Sequence, residues 1–357
     1  MDDLQQLVQK LQNTRHLEKE EWAALIRGRT DMLAEYVFSL ARKERHQHYG
    51  HDIYIRGLIE FTNYCKNDCY YCGIRKSNAG VMRYRLGEEQ ILSCCSAGYA
   101  LGFRTFVLQG GEDGWFTDER MVRIVGAIKS RFPDCAVTLS IGERSKESYQ
   151  ALFQAGADRY LLRHETFNAA HYSLLHPSSL TAASRQKCLW TLKDIGYQVG
   201  AGFMVGAPGQ TPEYLAEDLL FLEKLKPHMV GIGPFIPHHA TPFAGEPAGT
   251  LEETLFLLGL IRLLLPKGPA ARHHGAWHHR TKRAGAWHPF WGQCHHAQSF
   301  PCQCAGKLIR FTITSFAPGA EAAAGIQELK DRMCAIGYQI VTDRGDSRCK
   351  LKYIFSL

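Results

Sequence analysis

The sequence lacks any run of 18 apolar residues, and its opening stretch MDDLQQLVQKLQNTRHLEKEEW has no apolar h-region. The first absence excludes a membrane-spanning helix. The second leaves a secretory signal without its core, so a cytoplasmic setting is expected. No GxGxxG follows the first strand-like segment, which argues against a doubly wound dinucleotide-binding sheet. Outside residues 267–320 there is one C-x2-C and no H-x3-H, so a closed zinc site of two separated ligand pairs has no sequence basis there. Disorder is excluded by an apolar fraction of 45% against 22% charged. The 12 cysteines are unevenly spread, which favours reduced thiols or metal ligands over a disulfide framework.

What is present is a repeating alternation. Residues 1–50 carry apolar positions at helical spacing (Leu4, Val8, Leu11; Trp22, Leu25, Ile26; Met32, Tyr36, Leu40) and form a helical lead-in. Strands are then expected at Ile53–Phe61, Thr105–Gln109, Ala136–Ile141, Arg159–Arg163, Gln198–Val205 and Met229–Phe235. Helices fit between and after them at Glu88–Leu101, Asp118–Arg131, Lys146–Ala155, Ala182–Ile195, Pro212–Leu225 and Leu251–Leu264. Gly102, Gly156 and Gly196 close three of these helices just before a strand. Six consecutive βα units imply a parallel sheet, and the pattern predicts an α/β fold, a (β/α)8 TIM-type barrel with its core at 51–265. Chemistry in such a barrel sits in the loops at the C-terminal ends of the strands.

The first of those loops reads Cys65-Lys-Asn-Asp-Cys69-Tyr-Tyr-Cys72. Three thiolates on one short loop can each hold one iron of a [4Fe–4S] cluster and leave the fourth iron open. Zinc and a redox dithiol at Cys69 and Cys72 are the alternatives, one short of a ligand and the other leaving Cys65 surplus. This C-x3-C-x2-C loop on the first barrel strand resembles that of the radical S-adenosylmethionine (SAM) superfamily. The stretches RGLIEFTNYCKNDCYYCGIR, FVLQGGED, VTLSIGE, DRYLLRHET, GYQVGAGFMVGAPGQT and MVGIGPFIPH resemble, within it, the family of the [FeFe]-hydrogenase maturase HydE. Biotin synthase and methylornithine synthase are neighbouring families and the alternative readings among enzymes.

The resemblance implies a [4Fe–4S] cluster on Cys65, Cys69 and Cys72 and SAM as cofactor, cleaved reductively to a 5′-deoxyadenosyl radical. It implies a small-molecule or small iron-complex substrate, an electron donor such as ferredoxin or flavodoxin, and other hydrogenase maturases as partners. It assigns the turn Gln109-Gly110-Gly111-Glu112 to the methionine end of SAM, where glycines also permit close backbone approach. Glu165 and Arg185 are expected to contact SAM, with the Arg185 fork suited to its carboxylate. Arg163 is expected to face the substrate as the catalytic residue, and Met204 to lie against SAM unless it is plain core. Tyr71 either covers the cluster or packs. His164 alternates to the other face and reads as structural, as do His238 and His239. Cys94, Cys95, Cys135 and Cys188 read as small buried apolar groups.

One segment fits none of this. Between Lys267 and Ala320 there are seven Lys or Arg and no Asp or Glu, and the rest of the chain balances at 35 basic and 35 acidic residues. The whole net charge of +7 therefore lies in this window, together with seven of the 17 histidines and three of the six tryptophans. A zinc-binding His/Cys tract or a nucleic-acid patch are readings of another class. A shifted reading frame is the expectation adopted. One encoding of LIRFTITSFAPG read one base earlier yields TLYDNKLCTG, and GPAARHHGAWHHRTKRAG shifts toward PATTALGTIAPNGR. On that reading the charge is no sign of nucleic acid, and Cys294, Cys302 and Cys304 are not ligands of a second cluster. The last two barrel strands are then disrupted within 266–320, and 321–357 remain as a C-terminal helix and strand with a short apolar tail from Cys349.

Overall fold

The computed structural model describes residues 3–267 and 319–347, with four short strands between them at Ala270–Arg272, Cys294–His296, Phe300–Cys302 and Lys307–Ile309. Three helices open the chain: α1 (Asp3–Thr14), α2 (Lys19–Arg27) and α3 (Asp31–Tyr49). The barrel wall follows as β1 (Asp52–Thr62), α4 (Glu88–Ala100), β2 (Thr105–Gly110), α5 (Asp118–Arg131), β3 (Ala136–Ser140), α6 (Lys146–Gln154) and β4 (Arg159–Leu161). It continues with α7 (Ala169–Leu175), α8 (Ala182–Ile195), β5 (Gln198–Ala201), β6 (Met204–Val205), α9 (Pro212–Leu225), β7 (Met229–Pro234) and α10 (Leu251–Leu264). The short strands are β8 to β11 in the order given above, and the chain closes with α11 (Gly319–Ala335) and β12 (Gln339–Val341).

The strands pair in parallel in the order β1-β2-β3-β4-β5-β7, the curled wall of a TIM-type barrel. β8 adds to the β7 edge and β9 to the β1 edge, three residues each, where no strand pattern was expected. Among the described residues no pairing joins β8 to β9. The proposed frame shift, the zinc or nucleic-acid alternative and the tail from Cys349 otherwise lie outside the described residues.

Local chemistry explains the helix bounds. Thr117, Ser145, Thr181, Thr211 and Thr250 each accept the N–H of the third helical residue through the side-chain hydroxyl. Gly102, Gly156 and Gly196 take φ of 92°, 106° and 109° at the turns into the next strands. α10 is buried over nearly its whole length because it lies between the barrel and the lead-in helices, where Gly259 lets Val37 and Phe38 approach. Arg27, Lys19 and His16 tie the lead-in to Glu213, Glu217 and Glu223 of α9. In α3 the buried stripe is Leu33, Ala34, Val37 and Leu40, while Met32, expected to face inward, is 73% exposed.

The N-terminal end of the barrel is plugged by the returning C-terminal segment. The Arg344 carbonyl accepts from Thr105 Oγ1 at 2.7 Å and from buried Arg159 at 2.7 Å, and Asp346 accepts from Arg159 at 2.6 Å. The loops at the opposite end are left for chemistry.

The strand expected over 198–205 is broken in two. A Cβ on Gly202 would stand 1.9 Å from the Gly231 carbonyl oxygen, and its φ is +157°. The backbone therefore turns here, and Met204–Val205 pair higher on β7 with Gly233–Pro234. Gly202→Ala is expected to cost about 1–3 kcal/mol, as overpacking does. Gly231→Ala, whose added Cβ meets nothing closer than 4.0 Å, should cost far less. Urea and thermal unfolding of the two variants check this ranking.

Candidate functional site

The loop after β1 is held rigid without any disulfide: Cys65, Cys69 and Cys72 are all free and half-buried. Asp68 accepts two bonds from Arg75 at 2.8 and 2.7 Å, and two more from Ser77 N–H and hydroxyl. These donors hold the Asp68 carboxyl well below its usual range, the Arg75 bond first. Arg83 donates to the carbonyls of Asn63, Ile74, Arg75 and Asn78, clasping both ends of the loop. Tyr70 N–H reaches the Leu175 carbonyl on α7, and Lys66 N–H reaches the Glu112 carbonyl beyond β2.

Burial, with the neighbouring thiols second, pushes Cys69 up to about 12. Burial likewise raises Cys72 to about 11. Iron binding would require the thiolates, so it would displace the thiol protons that burial favours. Among the described residues no three His, Cys, Asp or Glu converge as the shell of one ion. Thiolates that each take a different iron need no such convergence.

The turn after β2 lies directly on this loop. A Cβ on Gly111 would sit 2.2 Å from the Tyr64 carbonyl oxygen and 2.7 Å from Cys65 Cβ. One on Gly110 would sit 2.6 Å from Thr62 Cγ2. Gly111 thus admits the protein's own thiol loop and Gly110 the end of β1, besides any approach of a ligand. Glu112 braces two loops, pairing with Lys66 at 3.1 Å and accepting Glu143 N–H at 3.0 Å. Gln109, the half-buried penultimate residue of β2, is in register with Glu60 and Ser140.

Beyond β4 the chain leaves the sheet sooner than expected, after Leu161, and Glu165 adopts φ +64° with its N–H on the Gly202 carbonyl. Arg163 and Glu165 pair at 3.2 Å, with side chains only 12% and 13% exposed. The distance is that of an ion pair, but the alignment is not that of a hydrogen bond. Arg163 Nε and Nη2 and Glu165 Oε2 consequently have no hydrogen-bond partner. Arg185 Nε stands 2.8 Å from Glu143 Oε1 in the same misaligned way, and its Nη1 reaches the Arg163 carbonyl at 3.5 Å. Burial opposes the Arg185 charge, yet Tyr172 and Glu143 raise its pKa above the ordinary arginine value. The charges of Arg185 and Glu165 act on the Cys69 thiol, so ion pairs and thiol loop share one end of the barrel.

His164 turns away, buried, with Nδ1 accepting Gly202 N–H and Nε2 on Asp218 at 3.2 Å, the structural role expected of it. Burial depresses it to about 3. Met204 packs with Leu175, Ala207, Phe235 and Tyr71 in a small apolar cluster separate from the main core. Tyr71 also donates to His176 Nε2 at 3.1 Å, the tautomer set by His176 Nδ1 on the Tyr172 carbonyl at 2.9 Å. His238 rests on Gly73 and stacks on His239. Cys95 and Cys135 are buried and Cys94 and Cys188 half-buried.

Three residues of this arrangement escaped the sequence reading: Glu143, Tyr172 and His176. Glu143 had a usable signal, since it follows β3 at the same barrel level as the residues singled out. Tyr172 and His176 depend on α7, a seven-residue helix too short for a periodicity and started by the Asn168 cap.

The donor set fits a cluster with a zwitterionic, carboxylate-bearing cofactor beside it. Three free thiols share one clasped loop, and buried guanidinium and carboxylate atoms at the same end lack aligned partners.

Comparison with known proteins agrees. The model of the radical SAM superfamily matches residues 59–222. The [FeFe] hydrogenase maturase subunit HydE of Thermotoga maritima is 43% identical over 264 residues, covering 73% of this chain and 74% of that one. The 3-methylornithine synthase of Methanosarcina acetivorans is 26% identical over 74% of this chain and 75% of its own. Among solved structures, methylornithine synthase (PylB) superposes with a TM-score of 0.77 at 21% identity, covering 94% of this chain and 97% of that one. The maturase HydG of Carboxydothermus hydrogenoformans gives 0.75 at 21% identity, over 95% and 79%. The folds agree across the group, while identity rises above 40% only toward HydE among these: the chain belongs to the radical SAM superfamily and is a radical SAM enzyme related to HydE.

Proposed function

We propose that this enzyme acts in maturation of the diiron site of [FeFe]-hydrogenase, taking a small molecule or small iron complex as substrate. The observation that carries the reading is the 43% identity to HydE over nearly three quarters of both chains, against 26% for 3-methylornithine synthase. Cys65, Cys69 and Cys72 would hold the [4Fe–4S] cluster. When bound, cluster and SAM together supply a 5′-deoxyadenosyl radical by one-electron cleavage of the sulfonium.

The chain's own residues do the rest. Gly111 lets the β2 turn seat the thiol loop, Gly110 lets it lie against the end of β1, and Gln109 and Glu112 line that turn. Arg185 offers its fork to the SAM carboxylate, facing Glu143, which in turn accepts the Ser184 hydroxyl. Glu165, in its strained backbone, and Met204 complete the SAM side. Arg163 presents its unsatisfied guanidinium nitrogens toward substrate. No described helix is long and apolar enough to cross a membrane. A reducing cytoplasm, an electron donor of the ferredoxin or flavodoxin kind and companion maturases suit this chemistry.

Anaerobic reconstitution is expected to load about four irons per chain and to give 5′-deoxyadenosine with dithionite. Cys69→Ala should lose both, and Gly111→Ala should lose iron while circular dichroism stays unchanged. A wild type that takes up zinc alone would defeat the reading. Arg185→Gln should weaken SAM binding about ten- to hundredfold, the 1.5–3 kcal/mol of a charged hydrogen bond, without altering iron content. Calorimetric titration of SAM into reconstituted protein measures it.

A further inference from the structure

One buried polar group at the ion-pair end of the barrel has no task in the arrangement described so far: the hydroxyl of Tyr172. The residue lies on α7 and is fully buried, and its oxygen has no hydrogen-bond partner. A buried hydroxyl without a partner costs stability, so packing alone gives no reason for tyrosine over phenylalanine at this position. The ring is also not free to turn in search of a partner. It stacks on the imidazole of His176, with 3.9 Å between centroids and planes 16° apart. His176 is itself pinned at both nitrogens, Nδ1 donating to the Tyr172 carbonyl at 2.9 Å and Nε2 accepting from the Tyr71 hydroxyl at 3.1 Å. Tyr71 belongs to the thiol loop, and its neighbour Tyr70 donates its N–H to the Leu175 carbonyl at 3.0 Å. The end of α7 therefore grips the thiol loop and fixes the Tyr172 phenol in one unit.

What the hydroxyl faces narrows its task. Burial pushes the phenol up to about 12, so it keeps its proton, and the charges that act on it are Arg185 and then Glu143. A guanidinium offers donors only. Arg185 can therefore approach the lone pairs of the hydroxyl but cannot take its hydrogen. Glu143 faces Arg185 with one oxygen and accepts the Ser184 hydroxyl with the other at 2.7 Å. The Tyr172 O–H is left for an acceptor that comes in beside Arg185.

We propose that Tyr172 is a SAM-binding residue, its hydroxyl donating to the same carboxylate that the Arg185 fork receives. The proposal rests on the radical SAM reading above and deepens it. Two donors converging from α7 and α8 engage both oxygens of a carboxylate, which fixes the orientation of the amino-acid end as well as its charge. Because His176 ties the Tyr172 ring to Tyr71, that orientation is set relative to the thiol loop.

Tyr172→Phe removes the hydroxyl and keeps the ring on His176. In the full, iron-loaded chain, calorimetric titration is expected to show SAM binding weakened about tenfold, the low end for a hydrogen bond to a charged group. Decarboxylated SAM, which keeps the adenosine, the sulfonium and the amino group, should be retained equally by wild type and variant in equilibrium dialysis. Iron content should not change. The metal-free variant should unfold at the wild-type temperature or above it, because the hydroxyl has no partner to lose. Tyr214→Phe, on α9 against His171, should alter none of these readings. Equal SAM affinity in Tyr172→Phe and wild type overturns the proposal, and so does an equal weakening toward both ligands. A lower unfolding temperature with loss of iron marks the hydroxyl as structural and overturns it too. A wild type that holds its irons but takes up no SAM overturns the underlying reading, and the proposal with it.

Discussion

The site hangs on a steric contact between two loops, the place where a side chain at Gly111 would strike the Tyr64 carbonyl and Cys65. Because no Cβ is there, the turn after β2 can press against the thiol loop, and Lys66 N–H can reach the Glu112 carbonyl. The same device recurs one loop further on. Gly142, at φ +79°, leaves room for the Glu112 side chain, which then accepts Glu143 N–H. Glu143 faces Arg185, and Arg185 touches the Arg163 carbonyl. A continuous path of contacts therefore runs from the first cysteine to the ion pairs beyond β4, built by two glycines and two carboxylates, Glu112 and Glu143.

Charge is spent differently at different places in the molecule. Asp68 and Arg75 meet in a bidentate, aligned pair, and Arg159 at the opposite end of the barrel is satisfied by Thr105, Gln198, Asp346 and a carbonyl. These pairs fix shape. Arg163 with Glu165, and Arg185 with Glu143, are as buried but badly aligned, and several of their polar atoms have no hydrogen bond. Burying charge without full pairing costs stability, so folding alone gives no reason to keep such an arrangement. A ligand carrying both a carboxylate and an ammonium group would complete what the protein leaves open, and the radical SAM reading names such a ligand.

Much of the wall was legible because its limits are set locally. Helices Asp118–Arg131, Ala182–Ile195, Pro212–Leu225 and Leu251–Leu264 appear with the expected bounds, since a Thr cap starts each of them. The strands fared less well at their C-terminal ends. Gly202 breaks the expected 198–205 strand because of a neighbour on β7, and β4 stops at Leu161 because Glu165 bonds across to Gly202. Both are long-range events with no local signature. The same holds in the site. The cysteine spacing is a local pattern and could be read, whereas the pairing of Glu143 with Arg185 spans 42 positions and needs the closed barrel to exist.

Net charge shows the same division. By composition, the chain outside residues 267–320 is balanced, which removes any general attraction for polyanions. Balance over hundreds of residues does not imply balance over a face, because a carboxylate neutralises only the cation it can reach. The fold pairs Asp68, Glu112, Asp113 and Asp118 with cations within reach, and among the described residues leaves Glu119 on one side and Lys76, Arg83 and Arg120 on the other without an ion pair. The rings of Tyr64 and Trp115 hold the guanidinium groups of Arg85 and Arg120 in fixed places.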